Sequence, residues 1–333
     1  FVAMARALMA DPDFPNKARL GKAGEIIPCL RCLDCLTGLQ EKDSFNCSVN
    51  PRTGRERFVN PKKAGEKLKL VVVGGGPGGM QAAVTASELG HDVTLMEKSA
   101  ELGGLLKFTE YDDLKVDLRR FKNYLIRKTS SSSVRVLLNT EATPGSIKAL
   151  NPDAVIVATG SVPIVPRIPG IENALHALDI YEPETKLGER IVIVGGGLVG
   201  CETAVSLAKQ GHKISIVEMR DALAPDANWM QQQGMLVPIA QYGIEVHTKS
   251  TCCEIRKDGV VIKNPEGGDE FLPADTVIFA LGMRSYKPLE ESLQDLAPTV
   301  VTVGDCRAAR KASNAVHEAY FAAADLAPGC CCN

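Results

Sequence analysis

An α/β fold built from two copies of one three-layer module is what this sequence predicts, and three observations carry the prediction. A strand, glycine turn, small-residue helix and second strand run from Leu68 to Met96. The same order returns from Ile191 to Val217. Each copy ends on a glutamate, Glu97 or Glu218, 23 residues after the first glycine of its turn.

Composition bounds the rest. The 333 residues are 45% hydrophobic, enough to bury more than one core. Lys and Arg number 38 against 40 Asp and Glu, and no basic block interleaves with aromatics, so nucleic acid is excluded as an expected partner. No apolar run approaches the 18 residues of a membrane span, and no basic leader precedes a longer apolar segment, so the expected compartment is the cytoplasm. Phe1 is not an initiator methionine, so the chain is expected to be processed or a fragment of something longer. Nothing in the composition decides the oligomeric state, a homo-oligomer included.

Residues 1–24 read as a short helix, Phe1 to Met9, and a turn-rich segment containing Asp11-Pro12. Residues 25–66 hold four of the 11 cysteines, followed by a charged connector, Pro61 to Lys67. Cys29, Cys32, Cys35 and Cys47 are spaced C-x2-C-x2-C-x11-C. Three close thiolates plus a fourth from a loop suit an iron-sulfur cubane, with a structural zinc site as the inorganic rival. The expected centre is a 4Fe-4S cluster. Cys201 and Cys306 read as small buried groups, Cys252-Cys253 as part of a strand, and Cys330, Cys331 and Cys332 as a frayed tail.

Leu68 to Val73 has the continuous apolar pattern of a buried parallel strand. The turn after it contains G-x-G-x-x-G as Gly74, Gly76 and Gly79. The first glycine allows the tight turn, the second lets a pyrophosphate reach bare backbone, and the third lets helix and strand close together. Phosphates then sit at a helix N-terminus, where unpaired N–H groups and the dipole favour negative charge. Glu97 is placed to accept from a ribose hydroxyl. In the second copy Gly195, Gly197 and Gly200 take the same offsets and Glu218 is the acid. A carboxylate there repels the 2'-phosphate of NADP and accepts from the free 2'-hydroxyl of NAD, while Arg220, close by, either softens that preference or is a solvated side chain.

The arrangement resembles the flavoprotein reductases with two dinucleotide-binding domains, in which an inserted second module binds the nicotinamide nucleotide and the chain returns to complete the FAD domain. Glu101-Leu102-Gly103-Gly104 matches that family's segment near the flavin pyrophosphate, Val155 to Gly160 its strand ending in Ala-Thr-Gly, and Val303-Gly304-Asp305 its late strand. The resemblance implies two Rossmann-like domains, FAD at 67–170 and 290–329, NADH at 171–289, with Gly104 and Asp305 among the cofactor contacts. No redox Cys pair sits beside the flavin segments, so electrons are expected to leave FAD by another route. The five histidines form no cluster, and only His317, near the start of the last helix, is a candidate to lie near the flavin.

The cysteine spacing followed at once by the first module is similar to the old-yellow-enzyme-like iron-sulfur flavoenzymes, among them 2-enoate reductase and 2,4-dienoyl-CoA reductase. In that family an FMN-bearing (β/α)8 barrel comes first. The resemblance implies that residues 1–24 end such a barrel, with Arg6 on the FMN phosphate, and that electrons run from NADH through FAD and the cluster to FMN. The substrate implied is a small-molecule 2-enoate. Bile-acid enone or dienoyl-CoA reduction, or a structural nucleotide site like that of trimethylamine dehydrogenase, are the alternatives.

Overall fold

The apolar run Leu70–Val73 forms a strand buried on both faces, and that strand organises half of the molecule. The computed structural model describes residues 1–42, 44–57, 59, 63–182 and 184–326. Pro61, Lys62 and the cysteine tail therefore lie outside the described residues. Two units are distinct: one of residues 1–110, 115–162 and 284–333, the other of residues 111–114 and 163–283.

In the first unit five strands lie in the order Thr299–Thr302, Ala154–Val157, Lys69–Val73, Asp92–Met96, Arg135–Leu137. All pairs are parallel, with Leu70 opposite Ala154 on one side and Val93 on the other. Parallel sheets need cover on both faces, which explains why the strands carry apolar residues without alternation. Leu70 and Val72 point to one face, where Met80, Phe121, Leu125, Val316 and Ala319 complete the core. Val71 and Val73 point to the other, against Ile147, Leu289, Leu296 and Cys306. The helices on the first face are Pro77–Glu88, Val116–Ser130 and Ala312–Ala324. The first and last of these come close because Gly78 offers no side chain: a Cβ there would stand 3.4 Å from the Ala315 carbonyl oxygen.

In the second unit the parallel order is Ala174–His176, Thr276–Phe279, Arg190–Val194, Lys213–Val217, Glu245–His247. Ile191, Ile193 and Ile216 face the helix Leu198–Lys209 through Cys201, Ala204 and Leu207. Val192, Val194 and Phe279 face an antiparallel sheet instead, Thr251–Arg256, Gly259–Lys263 and Asp269–Pro273, whose Ile255, Val260, Ile262 and Leu272 fill that side. Cys252 is buried and Cys253 exposed, the alternation of a half-covered strand. Among the described residues no helix is long and apolar enough to cross a membrane.

The expected fold class is corrected at one point. The two Rossmann-like parallel sheets are present, but segment 25–66 does not form a cluster-binding element. Among the described residues no group of three or more His, Cys, Asp or Glu side chains is arranged to hold a metal ion. The segment is organised instead by buried polar contacts. Asp11 accepts from the Ile27 N–H at 2.9 Å and pairs with Lys17 at 2.7 Å, while Asn50 and Thr53 both donate to the Met9 carbonyl.

Each unit buries one histidine that its fold uses as a neutral ring. His91 Nδ1 accepts from the Leu68 N–H and its Nε2 is buried without a partner; His176 Nδ1 accepts from the Leu178 N–H and its ring packs edge-on to Phe279. Burial lowers both below the ordinary 6.5. The unfolded chain then takes up protons first as pH falls through 6.5, so stability present above that value is lost below it, each ring contributing at most about 1.4 kcal/mol per pH unit. A lower urea midpoint at pH 5.5 than at pH 7.5 is the expected result, with His91→Gln and His176→Gln each flattening the slope.

Candidate dinucleotide sites

In the first unit the three fingerprint glycines do three different jobs. Gly74 has φ +106°, and a Cβ there would strike the Ala158 carbonyl. A Cβ on Gly79 would overlap the Gly74 carbonyl oxygen, so this glycine fixes how closely helix and turn pack. At Gly76, φ is −74° and the nearest atom to an added Cβ is the Gly104 Cα at 3.9 Å. Protein packing leaves that position open. Gly76 is also the N-cap of the helix Pro77–Glu88 and provides no side-chain cap. The first intrahelical bond runs from the Met80 N–H to the Gly76 carbonyl, so the N–H groups of Gly78 and Gly79 have no partner within the helix. A bare backbone opening onto free N–H groups fits a pyrophosphate.

Glu97 is buried at the end of its strand, and its two oxygens bridge the loops around it. Oε2 accepts from the Gly75 N–H at 2.6 Å and Oε1 from the Ser99 N–H at 2.8 Å. Each oxygen retains a lone pair for a ribose hydroxyl. The Gly103-Gly104 segment lies over the same turn. The Gly103 N–H donates to the Gly75 carbonyl at 2.9 Å, and a Cβ on Gly104 would stand 2.8 Å from the Gly76 Cα. Beneath it the Lys122 side chain is almost fully buried and ion-paired with Glu110. Asp305 stands in the turn Gly304–Cys306, where Oδ2 accepts from Ser161 Oγ at 3.0 Å and Oδ1 from the Arg310 N–H at 3.1 Å. The neighbouring Gly304 N–H donates to Glu318 at 2.8 Å.

The second unit repeats the construction atom for atom at the turn. Gly195 has φ +111° with the Ala280 carbonyl oxygen 2.6 Å from its would-be Cβ, and Gly200 packs on the Gly195 carbonyl. Gly197 caps the helix Leu198–Lys209 without a side chain and has nothing within 4 Å of an added Cβ. Buried Glu218 accepts from the Gly196 N–H at 2.7 Å and from the Arg220 N–H at 2.8 Å. Cys201, inside this helix, donates to the Gly196 carbonyl at 3.3 Å, and burial pushes its thiol up to about 12, so it serves packing rather than nucleophilic chemistry.

Sequence reasoning did not find Gly75, Gly196 or Ser161, whose roles rest on backbone or hydroxyl contacts that leave no residue-type signal. Lys122 was equally hidden, since a lysine on an amphipathic helix reads as solvated.

The cysteine expectation needs correction here too. Cys29, Cys32, Cys35 and Cys47 line one small hollow together with Arg6 and Met9. None of the four is in a disulfide, and no metal-holding group is found among the described residues. Cys32 Sγ lies 3.1 Å from Ser48 Oγ, and Cys29 Sγ accepts from the Arg31 N–H. Burial raises the Cys32 thiol and pushes Cys47 up to about 11. The 4Fe-4S cluster is withdrawn as a cofactor. Arg6 lines the same hollow. His317, expected toward the flavin region, bonds the Cys47 carbonyl at 2.7 Å through Nε2.

Two fingerprint turns, each with an uncapped helix and a buried acid, are consistent with two dinucleotide-binding domains. The family model described as pyridine nucleotide-disulphide oxidoreductase matches residues 68–319, and the chain belongs to that family, an oxidoreductase class that binds FAD and NAD(P). It is similar to an NADH oxidase of Thermoanaerobacter brockii, 38% identical over 330 residues, which cover 96% of this chain and 51% of that one. A cinnamate reductase of Clostridium sporogenes is 33% identical over 329 residues, covering 98% and 49%. Among solved structures, a 2-naphthoyl-CoA reductase in complex with 2-naphthoyl-CoA is 35% identical with a TM-score of 0.89, covering 95% of this chain and 49% of that one. The chain thus spans about half the length of these relatives.

Proposed function

We propose that this chain carries the NADH-to-FAD half of a reductase acting on a C=C bond conjugated to a carboxyl or thioester, a 2-enoate being the substrate class favoured. The observation that carries the reading is the duplicated turn, with open backbone at Gly76 and Gly197 and a buried acid beside each. Residues 67–170 and 290–329 would hold FAD through Gly74, Gly76, Gly79, Glu97, Gly104 and Asp305. Residues 171–289 would hold NADH through Gly195, Gly197, Gly200 and Glu218. When bound, FAD supplies a two-electron acceptor for the nicotinamide hydride. The chain's own part is positional: helix N-terminal N–H groups neutralise the pyrophosphates, and the two glutamates hold the ribose hydroxyls. The substrate class draws support from the similar cinnamate reductase, since cinnamate is itself a 2-enoate.

Anaerobic titration of the FAD-loaded holoenzyme with NADH tests this, followed by addition of cinnamate. Loss of the oxidised-flavin absorbance on adding NADH, and its return on adding cinnamate, are the expected results. No bleaching with NADH would overturn the nicotinamide assignment of the second turn. Bleaching without reoxidation by cinnamate would remove the 2-enoate and retain the NADH-to-FAD reading.

A further inference from the structure

We infer that Asp226 is a positioning residue that sets the nucleotide preference of the second turn, by holding the Arg220 guanidinium away from a ribose 2'-phosphate. The inference rests on the proposed binding of a nicotinamide nucleotide in this unit.

Arg220 stands two residues after Glu218, the acid placed at the adenosine ribose. Its backbone is pinned from two sides: the N–H donates to Glu218 Oε1 at 2.8 Å, and the carbonyl accepts from the Lys249 N–H at 2.8 Å. Only the side chain is left to choose a partner. A guanidinium is the side chain best suited to bind a phosphate, through paired N–H donors. By residue type alone, a phosphate-binding cation therefore sits beside the acid that rejects phosphate. In this structure the cation is engaged, with Arg220 Nη2 2.9 Å from Asp226 Oδ2.

The position of Asp226 is built by the fold. The segment 221–228 is tied to the glycine turn by the Ala224 N–H, which donates to the Gly196 carbonyl at 2.8 Å, and by Leu223, whose Cδ2 lies 2.5 Å from where a Gly196 Cβ would stand. The Ala227 N–H closes back on the Ala224 carbonyl at 3.0 Å, and Asn228 caps the next helix by accepting from the Gln231 N–H. The same backbone that shapes the dinucleotide turn thus sets where Asp226 meets Arg220. Glu218 and Asp226 act on the 2'-position in different ways. The first repels a phosphate directly, and the second occupies the cation that would attract it.

Arg220 is half-exposed and Asp226 mostly exposed, so the effect is modest, up to about fivefold in an equilibrium constant. Calorimetric titration of the FAD-saturated chain with ADP-ribose and with 2'-phospho-ADP-ribose, both redox-inert, reads it without turnover. In Asp226→Asn the affinity ratio is expected to move about fivefold toward the 2'-phosphorylated ligand, with Asp226→Ser giving the same shift. In the double variant Asp226→Asn with Arg220→Gln the gain is expected to vanish. An unchanged ratio in both single variants overturns the inference. So does a gain that survives in the double variant, because it would come from removing a negative charge and not from releasing Arg220. Failure of the parent chain to bind either ligand would overturn the nicotinamide reading itself, a result distinct from both.

Discussion

Gly79→Ala is expected to destabilise the first unit by about 2 kcal/mol, and Gly200→Ala to do the same to the second. At both positions the added Cβ would fall inside the carbonyl oxygen of the turn's first glycine, Gly74 or Gly195. The obstacle is backbone, with no flexible side chain to swing aside. Either the helix must retreat from the strand or the turn must open. Overpacking of this kind costs about 1–3 kcal/mol when a core can adjust, and here the rigid neighbour puts the cost at the upper end. Alanine's better helix propensity returns up to about 1 kcal/mol, which is too little to offset it. A fall in Tm of roughly 4–8 °C follows for a unit of this size. Since the retreating helix carries the N–H groups at the turn, ligand affinity should fall with stability. Thermal scans with and without FAD would measure both, and a Tm within about 1 °C of the parent would contradict the packing argument.

Much of this was legible because parallel strands and glycine turns write themselves into residue type. Leu70–Val73, Ala154–Val157 and Ile191–Val194 are apolar at every position because both sheet faces are covered. The spacing of Gly74, Gly76 and Gly79 marked the turn, yet it could not say which glycine serves the protein and which serves a ligand. That distinction depends on neighbours such as Ala158 and Gly104, remote in sequence. Glu97 and Glu218 were read as ribose acceptors only; their bonds to Gly75 and Gly196 N–H groups tie strand end to turn and were invisible, because any residue type can present a backbone N–H. The cover on the second unit's other face was also missed. Thr251 to Pro273 forms an antiparallel sheet from short strands of mixed polarity, a far weaker pattern than a buried parallel strand. The cysteines show the opposite failure. Their spacing matched a cluster pattern, but spacing constrains only sequence distance, and Cys29, Cys32 and Cys47 find partners in a backbone N–H, a serine hydroxyl and a desolvated hollow.

The complementary pair, Gly76→Ala and Gly197→Ala, should leave stability almost untouched while weakening binding. Both residues have ordinary negative φ, −74° and −65°, so alanine enters without strain. The nearest atom to a Cβ at Gly76 is 3.9 Å away, and at Gly197 nothing lies within 4 Å. Alanine is a poorer N-cap than glycine, and that loss is roughly balanced by the lower entropy of the unfolded chain, so Tm should stay within about 2 °C. A methyl group at the mouth of the uncapped helix would nevertheless stand where a pyrophosphate must meet bare backbone. Loss of one or two charge-assisted hydrogen bonds, at about 1.5–3 kcal/mol each, corresponds to a fall in affinity of at least about tenfold, and of about 100-fold or more where both are lost. The effect should be selective by unit. Gly76→Ala should lose FAD and retain ADP-ribose, whereas Gly197→Ala should retain FAD and lose ADP-ribose, as read by equilibrium dialysis and calorimetry. Parent-like affinity in Gly76→Ala would remove FAD from the first turn. A drop in Tm matching that of Gly79→Ala would mean that the open space belongs to the protein's own packing and is not kept for a ligand.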